Sequence, residues 1–148
     1  MLLPTLTPAE PLAHDALESL VRAEASVRRR LSADLEREGL SASGFTVLLV
    51  LTAAGGELEL RTLRERLRTS KANATEVVTT LESRGHVQRF RLPHDRRAAA
   101  VRLTTAGREC VDRLYPEHTE RVASAFAALD EDEQRQLAAL CRKLAAAA

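Results

Sequence analysis

The chain has 148 residues, 45% of them apolar, which is enough for one hydrophobic core and too few for two independent catalytic domains. It has no apolar run of about 18 residues, and its N-terminal segment lacks the basic and apolar stretches of a signal peptide, so we expect one cytoplasmic domain over 1–148 and no membrane segment. Between Ser41 and Arg108, twelve Lys and Arg outnumber six Asp and Glu, although the whole chain has a net charge of only +1. A basic middle with acidic flanks is typical of a protein that binds a polyanion.

A long amphipathic helix is predicted over 12–38, because apolar residues recur at steps of three and four with Arg and Glu between them. Residues 1–11 contain three prolines and little periodicity, which favours an arm or a frayed start. Gly39 ends the helix, and Ser41 is a candidate cap for the next one. That second helix is apolar on nearly all sides, which predicts burial.

Short elements follow the break at Gly55-Gly56. The alternation over Glu57 to Leu60 predicts one small strand. Thr62 and Glu65 have the spacing of a capping box, which predicts a short helix that starts there and ends at Leu67.

A second short helix and a hairpin come next. Thr69 or Ser70 caps the helix, and Gly85 ends it. Val87 to Leu92 and Ala99 to Leu103 are predicted as two strands, joined by the turn-like segment PHDRR.

The last part of the chain is helical. Thr104 or Thr105 caps one helix, which Pro116 should kink or interrupt. Asp130 and Glu133 form a further capping signal before a last helix that runs into the terminal alanines. The order of elements predicts a mainly α fold with a small β wing, the winged form of the helix-turn-helix.

The second short helix is the candidate for reading duplex DNA, because its outward face has short polar side chains that fit a major groove about 12 Å wide. Asn73 is suited to an adenine edge, Lys71 to guanine or phosphate, and the threonines to a thymine methyl or phosphate. The alternative is an ordinary solvated helix face. The candidate contacts on this helix are Ser70, Lys71, Asn73, Thr75, Glu76 and Thr79.

The hairpin offers a second contact, because Arg96 and Arg97 at its tip suit a narrow minor groove. Asp95 is expected to hold a neighbouring guanidinium in one rotamer. The alternative is a solvated turn in which Asp95 bonds to the local backbone. Arg84 and Arg89, like Arg96, are candidates for phosphate contact.

The segments RTLRERLRTSKANATEVVTTLESRGHVQR and PHDRRAAAVRLTTAG resemble the helix-turn-helix and the wing of the MarR family of bacterial regulators, and the resemblance extends from about Leu12 to Leu144. Asp95 and Arg97 match the aspartate and the minor-groove arginine of the family's Asp-x-Arg wing pattern. The resemblance implies a winged helix-turn-helix over 41–105 and a homodimer formed through helices 12–38 and 106–147. It also implies binding to a palindromic operator on double-stranded DNA, usually as a repressor.

Two positions depart from the family pattern. Arg68 lies in the turn where relatives usually have glycine, so it must take an unfavourable backbone conformation or reshape the turn. Glu76 stands where a polar or basic residue is frequent, and it could accept from cytosine or repel phosphate.

Many relatives bind a small ligand between the dimerisation helices and the winged domain, which implies release of DNA by a small-molecule effector. Nothing identifies that effector here. His14, Arg22 and Phe45 are candidates for lining such a cleft, but an ordinary surface or core position is the favoured interpretation of each. Two alternative functions stay open: a winged helix that binds proteins instead of DNA, and a redox-responsive regulator that uses Cys110 or Cys141. We expect no cofactor, no metal site and no enzymatic activity, because no catalytic or metal-binding motif is present.

Overall fold

The computed structural model describes residues 9–147. The predicted arm lies mostly outside this range, and the first helix already begins at Ala9. The helices and strands in chain order are α1 (Ala9–Arg37), α2 (Ala42–Ala53), β1 (Glu57–Glu59), α3 (Leu60–Leu67), α4 (Lys71–Ser83), β2 (Val87–Leu92), β3 (Asp95–Leu103), α5 (Thr105–Ala125) and α6 (Glu131–Ala146).

Helix α2 is the centre of the core. Phe45, Leu48 and Leu51 on it are almost wholly buried, and it packs against α1, α3, α4, α5 and the sheet. Full burial of each such side chain stabilises the fold by about 1.5–3 kcal/mol. Ser41 caps α2 by accepting the Gly44 N–H at 2.9 Å, which confirms the predicted cap.

The three strands form an antiparallel sheet in the order β1-β3-β2, with β3 in the middle. Val101 of β3 is opposite Leu58 of β1 and Arg89 of β2, and its side chain is buried against the helices. The sheet therefore joins the small strand after α2 to the hairpin after α4.

The predicted start of α3 is wrong. Leu60 opens the helix instead of ending the strand, and the N-cap is Glu59, which makes no side-chain capping bond. Thr62 is consequently inside the helix and forms no capping box. The earlier start puts Leu60, Leu63 and Leu67 on one face of α3, where all three pack into or against the core.

The hairpin turn is shorter than predicted. Strand β3 already begins at Asp95, so only Pro93 and His94 separate it from β2. The register shifts between the Arg91–Ala99 pair and the Leu92–Asp95 pair, which leaves residues 96–98 without partners in β2. This bulge re-aims the tip of the wing.

Helix α5 continues through Pro116, so of the predicted kink or interruption the interruption does not occur. Cys110, Val111 and Leu114 before it are buried in the core, and Arg121 after it forms an ion pair with Asp34 of α1. Packing on both sides of the proline holds the helix together although Pro116 has no N–H to donate.

Helix α6 begins with the predicted capping box between Asp130 and Glu133. It has no buried residue and no substantial packing against another element of the described chain. Among residues 9–147, no helix is both long and apolar enough to cross a membrane.

Candidate nucleic-acid interface

Helix α4 is fixed by its cap and by one apolar face. Ser70 is its N-cap, and its hydroxyl accepts the Asn73 N–H at 3.1 Å. Ala74, Val78 and Leu81 are buried. The opposite face is therefore held outward over the whole length of the helix.

The exposed face of α4 is low and polar. Lys71, Glu76 and Thr79 are exposed, while Thr75 is half-buried. The hydroxyls of Thr75 and Thr79 each donate to the carbonyl four residues earlier at 2.8 Å. These bonds fix the threonine rotamers and leave each oxygen able to accept a further hydrogen bond.

Asn73 is also exposed, but its side chain is engaged locally. The Nδ2 amide donates to the Thr69 hydroxyl at 2.6 Å. The Nδ2 amide carries two N–H groups, so this bond occupies one donor and leaves the other for an adenine.

Arg68, in the turn between α3 and α4, has an unfavourable backbone conformation, which is one of the two outcomes that the sequence predicts. This residue ends α3 in the left-handed region, with φ 51° and ψ 45°. Within the described range it is the only residue other than glycine with a positive φ. A side chain in this conformation costs about 1–2 kcal/mol relative to right-handed backbone.

The wing places Arg97 in the bulge of β3. Asp95 Oδ1 accepts the backbone N–H of Arg97 at 2.9 Å. The expectation that Asp95 holds a guanidinium is wrong, because the contact it makes is to backbone. Arg96 and Arg97 both have exposed side chains at this tip.

Arg89 lies at the base of the wing, bonded to the end of α4. One oxygen of Glu82 accepts the Arg89 backbone N–H at 2.8 Å, and the other contacts the guanidinium Nη2 at 3.1 Å. These bonds lower the pKa of the Glu82 carboxyl. Arg89 therefore connects helix and wing in the free protein.

Arg84 is the C-cap of α4, and its guanidinium lies against Gly39 in the turn between α1 and α2. A Cβ on Gly39 would be 2.3 Å from Nη1 of Arg84. Arg84 and Glu76 line a shallow depression on this side of α4, away from the wing.

A cleft of about 430 Å³, which we call the wing cleft, lies between the N-termini of α3 and α4 and the hairpin. It brings Lys71, Asp95 and Arg97 together, as the DNA-binding hypothesis requires. Sequence reasoning did not assign the other basic residues here. Five basic side chains line the wing cleft: Arg61, Arg64, Lys71, Arg91 and Arg97.

A second cleft, the helix cleft, has a volume of about 510 Å³ and lies between α1, α2 and the α3–α4 turn. Val47, Leu67 and Val77 give it apolar walls. His14, Arg22 and Phe45 are not among its lining residues: His14 and Arg22 are exposed on α1, and Phe45 is buried in the core, as the surface or core interpretation predicts. Phe45 instead packs edge-to-face on His118, with ring centroids 4.9 Å apart.

The two thiols differ in environment. Cys110 is buried, and burial raises the pKa of its thiol, whereas Cys141 is exposed on α6. Over residues 9–147, His, Cys, Asp and Glu form no cluster of three or more that could hold a metal ion.

Comparison with known proteins agrees with this arrangement. The MarR family pattern matches residues 40–99. YkoM, an uncharacterized HTH-type transcriptional regulator of Bacillus subtilis (strain 168), is 36% identical over 122 residues, which cover 82% of this chain and 79% of YkoM.

Two solved structures from Streptomyces coelicolor are also similar. The MarR family regulator Sco3205, in complex with DNA, is 26% identical with a TM-score of 0.84, over 95% of this chain and 92% of that chain. The PcaV transcriptional regulator, in complex with its natural ligand, is 28% identical with a TM-score of 0.78, over 98% of this chain and 99% of that chain. The winged helix-turn-helix and the level of identity over most of both sequences show that this chain belongs to the MarR family, a family of transcriptional regulators and not of enzymes.

Proposed function

We propose that this chain binds a palindromic operator as a homodimer in the cytoplasm, represses transcription there, and releases DNA when a small-molecule effector binds. The observation that carries the proposal is that Lys71 of α4 and Arg97 of the wing line the same cleft. Helix and wing thus present positive charge on one side of the molecule, which suits a duplex phosphate backbone. The DNA-bound structure of Sco3205 supports the same role for the fold.

The proposed DNA contacts form two groups, one for the major groove and one for the minor groove. Lys71, Asn73 and Thr75 on α4 are the candidates for base edges in the major groove. Arg97 is the candidate for the minor groove, where the negative potential is strongest. Asp95 acts indirectly by holding the Arg97 backbone.

Among the three arginines that the sequence predicts to contact phosphate, Arg96 ranks first, because it is exposed at the wing tip. Arg89 can reach a phosphate only by loosening its bonds to Glu82, and Arg84 only by leaving Gly39. We therefore rank both below Arg96 as phosphate contacts.

The homodimer is supported by apolar side chains that the single chain leaves exposed on α1, α5 and α6. A patch of this kind on a soluble protein marks an interface. The exposed large apolar residues are Leu12, Leu17, Leu20, Val21, Tyr115, Leu137, Leu140 and Leu144. In a dimer, recognition helices about 34 Å apart would reach half-sites one helical turn apart.

The helix cleft is the place for an effector. Its volume of about 510 Å³ is within the range of small-molecule sites. Glu24 and Arg28 of α1 line it together with Asn73 and Val77 of α4. A ligand in contact with both helices can favour one spacing of the recognition helices over another.

The test is selection of duplexes from a random pool, followed by fluorescence anisotropy of the best sequence over a series of salt concentrations. We expect two chains per site and an affinity that falls steeply with salt. Arg97→Ala should weaken binding by about 1–3 kcal/mol. Arg66→Ala is the matched control, since Arg66 is an exposed arginine of α3 that lines neither cleft.

Absent or salt-insensitive binding would favour a winged helix that binds protein partners. Equal affinities of the Arg97 and Arg66 variants would remove Arg97 from the interface.

A further inference from the structure

The wing cleft has more positive charge than Lys71 and Arg97 alone would give it. Its five basic side chains are opposed by only two carboxylates, Glu59 and Asp95. One oxygen of Asp95 is already bonded to the Arg97 backbone. The cleft therefore carries a net excess of three positive charges.

Most of these cations are uncompensated. Arg61 is 3.7 Å from Glu65, which lies outside the cleft. Arg64, Lys71, Arg91 and Arg97 form no ion pair with a described residue. Like charges that lie close together repel one another. An anion that enters the cleft reduces this repulsion and is itself attracted by the cations.

The backbone contributes in the same direction. Leu60 and Arg61 line the cleft and are the first two residues of α3, whose N-cap makes no side-chain capping bond. The leading N–H groups of α3 therefore keep their partial positive charge at the wall of the cleft.

We propose that the wing cleft is a binding site for a phosphate-type polyanion. In the complex with DNA the occupant is a backbone phosphate beside Arg61, Arg64 and Arg91, while Lys71 and Arg97 extend towards the grooves; this role rests on the proposed function. In the free protein it is a soluble oligophosphate such as pyrophosphate, whose negative charge is comparable with the positive excess of the cleft. Because the two occupants share the cations, free oligophosphate competes with DNA.

In the first arm of the test, pyrophosphate is titrated into the DNA-free protein, and binding is measured by isothermal titration calorimetry at constant ionic strength. We expect saturable binding with one site per chain. The double variant Arg64→Gln/Arg91→Gln should lose at least tenfold in affinity, while Arg66→Gln on the same helix binds as wild type. Arg91→Gln alone, at an exposed strand position, replaces the double variant if the latter folds poorly.

The second arm measures anisotropy of the selected duplex with added pyrophosphate, against sulfate at equal ionic strength. Competition specific to pyrophosphate, together with weaker DNA binding by the double variant, assigns the cleft to both occupants. Unchanged DNA binding by that variant assigns it to the free anion alone.

No saturable pyrophosphate binding, or equal binding by the double variant and Arg66→Gln, overturns the proposal. Failure of the proposed function gives a different result. The chain would then bind no duplex, while calorimetry would still show pyrophosphate binding that depends on Arg64 and Arg91.

Discussion

The carboxylate of Asp95 holds the backbone N–H of Arg97 at 2.9 Å, inside a bulge whose residues have no partner in β2. This bond orders the part of the wing that we assign to the minor groove. Asp95→Ala removes the acceptor, and we expect operator affinity to fall by about 0.5–1.5 kcal/mol because the ordering must then be supplied on binding.

Asp95→Asn is the matched variant, since its amide oxygen can still accept the Arg97 N–H. Anisotropy should place it closer to wild type than to Asp95→Ala. If Asn and Ala lose the same affinity, the charge of Asp95 matters and the backbone bond does not.

Replacement of Arg68 by glycine should stabilise the fold. Arg68 has a φ of 51°, which glycine adopts without strain, and the gain is partly offset by the greater freedom of glycine in the unfolded chain. We expect urea denaturation to show a net gain of a few tenths to about 1 kcal/mol. Arg68→Ala keeps the strained conformation, so a gain as large in alanine as in glycine would refute this explanation.

Gly107→Ala should destabilise the protein although alanine is the better helix former. A Cβ at this buried position in the first turn of α5 would lie 2.1 Å from the carbonyl oxygen of His86. Backbone must shift to admit it, and we expect a loss of about 1–3 kcal/mol in the free energy of unfolding.

Gly44→Ala, in the first turn of α2, is the comparison. Its nearest neighbours are side-chain atoms of Ser41 at 3.2 Å and Leu81 at 3.3 Å, which can move. Thermal denaturation should show a clearly smaller effect for Gly44→Ala than for Gly107→Ala, and the reverse order would contradict the steric account.

The Glu82–Arg89 connection predicts a pH dependence of stability. The bonds from Arg89 lower the pKa of the Glu82 carboxyl below its ordinary value of 4.5. A group whose pKa is lower in the folded state contributes stability above that ordinary value and loses it as the pH falls through the folded pKa. Urea denaturation from neutral to acidic pH should therefore show wild type and Glu82→Gln converging at the acidic end, and a constant difference would mean that the charge is not involved.

Cys110 should be a poor redox sensor. It is buried, and its thiol pKa is raised by that burial, so little thiolate is present near neutral pH. In a Cys141→Ser variant, Ellman's reagent should modify Cys110 slowly in the native state and rapidly in concentrated urea. Rapid labelling of the native variant would restore the redox-responsive alternative.

The sequence predicted most of the described fold because local signals and burial agree there. The caps Ser41, Ser70 and Asp130 are all found in the structure. The start of α3 was predicted wrongly. Leu60 is helical because it packs against the core beside Leu63, and this packing outweighs the capping pattern at Thr62.

The candidate site was only partly predictable for the same reason. The face of α4 follows from its periodicity, but the bonds of Arg89 to Glu82 and the contact of Arg84 with Gly39 join residues that only the tertiary fold brings together. The grouping of Arg61, Arg64 and Arg91 in the wing cleft depends in the same way on how α3 meets the hairpin.

Helix α6 has 16 residues and almost no packing within its own chain. Isolated helices of this length are marginal in water, so α6 should be well formed only while something covers Leu137, Leu140 and Leu144. If the cover is a second chain, mass action links helix content to protein concentration. Dilution would then fray α6 before it affects the winged domain, and the cellular abundance of the regulator would itself set how much of it is competent to bind DNA.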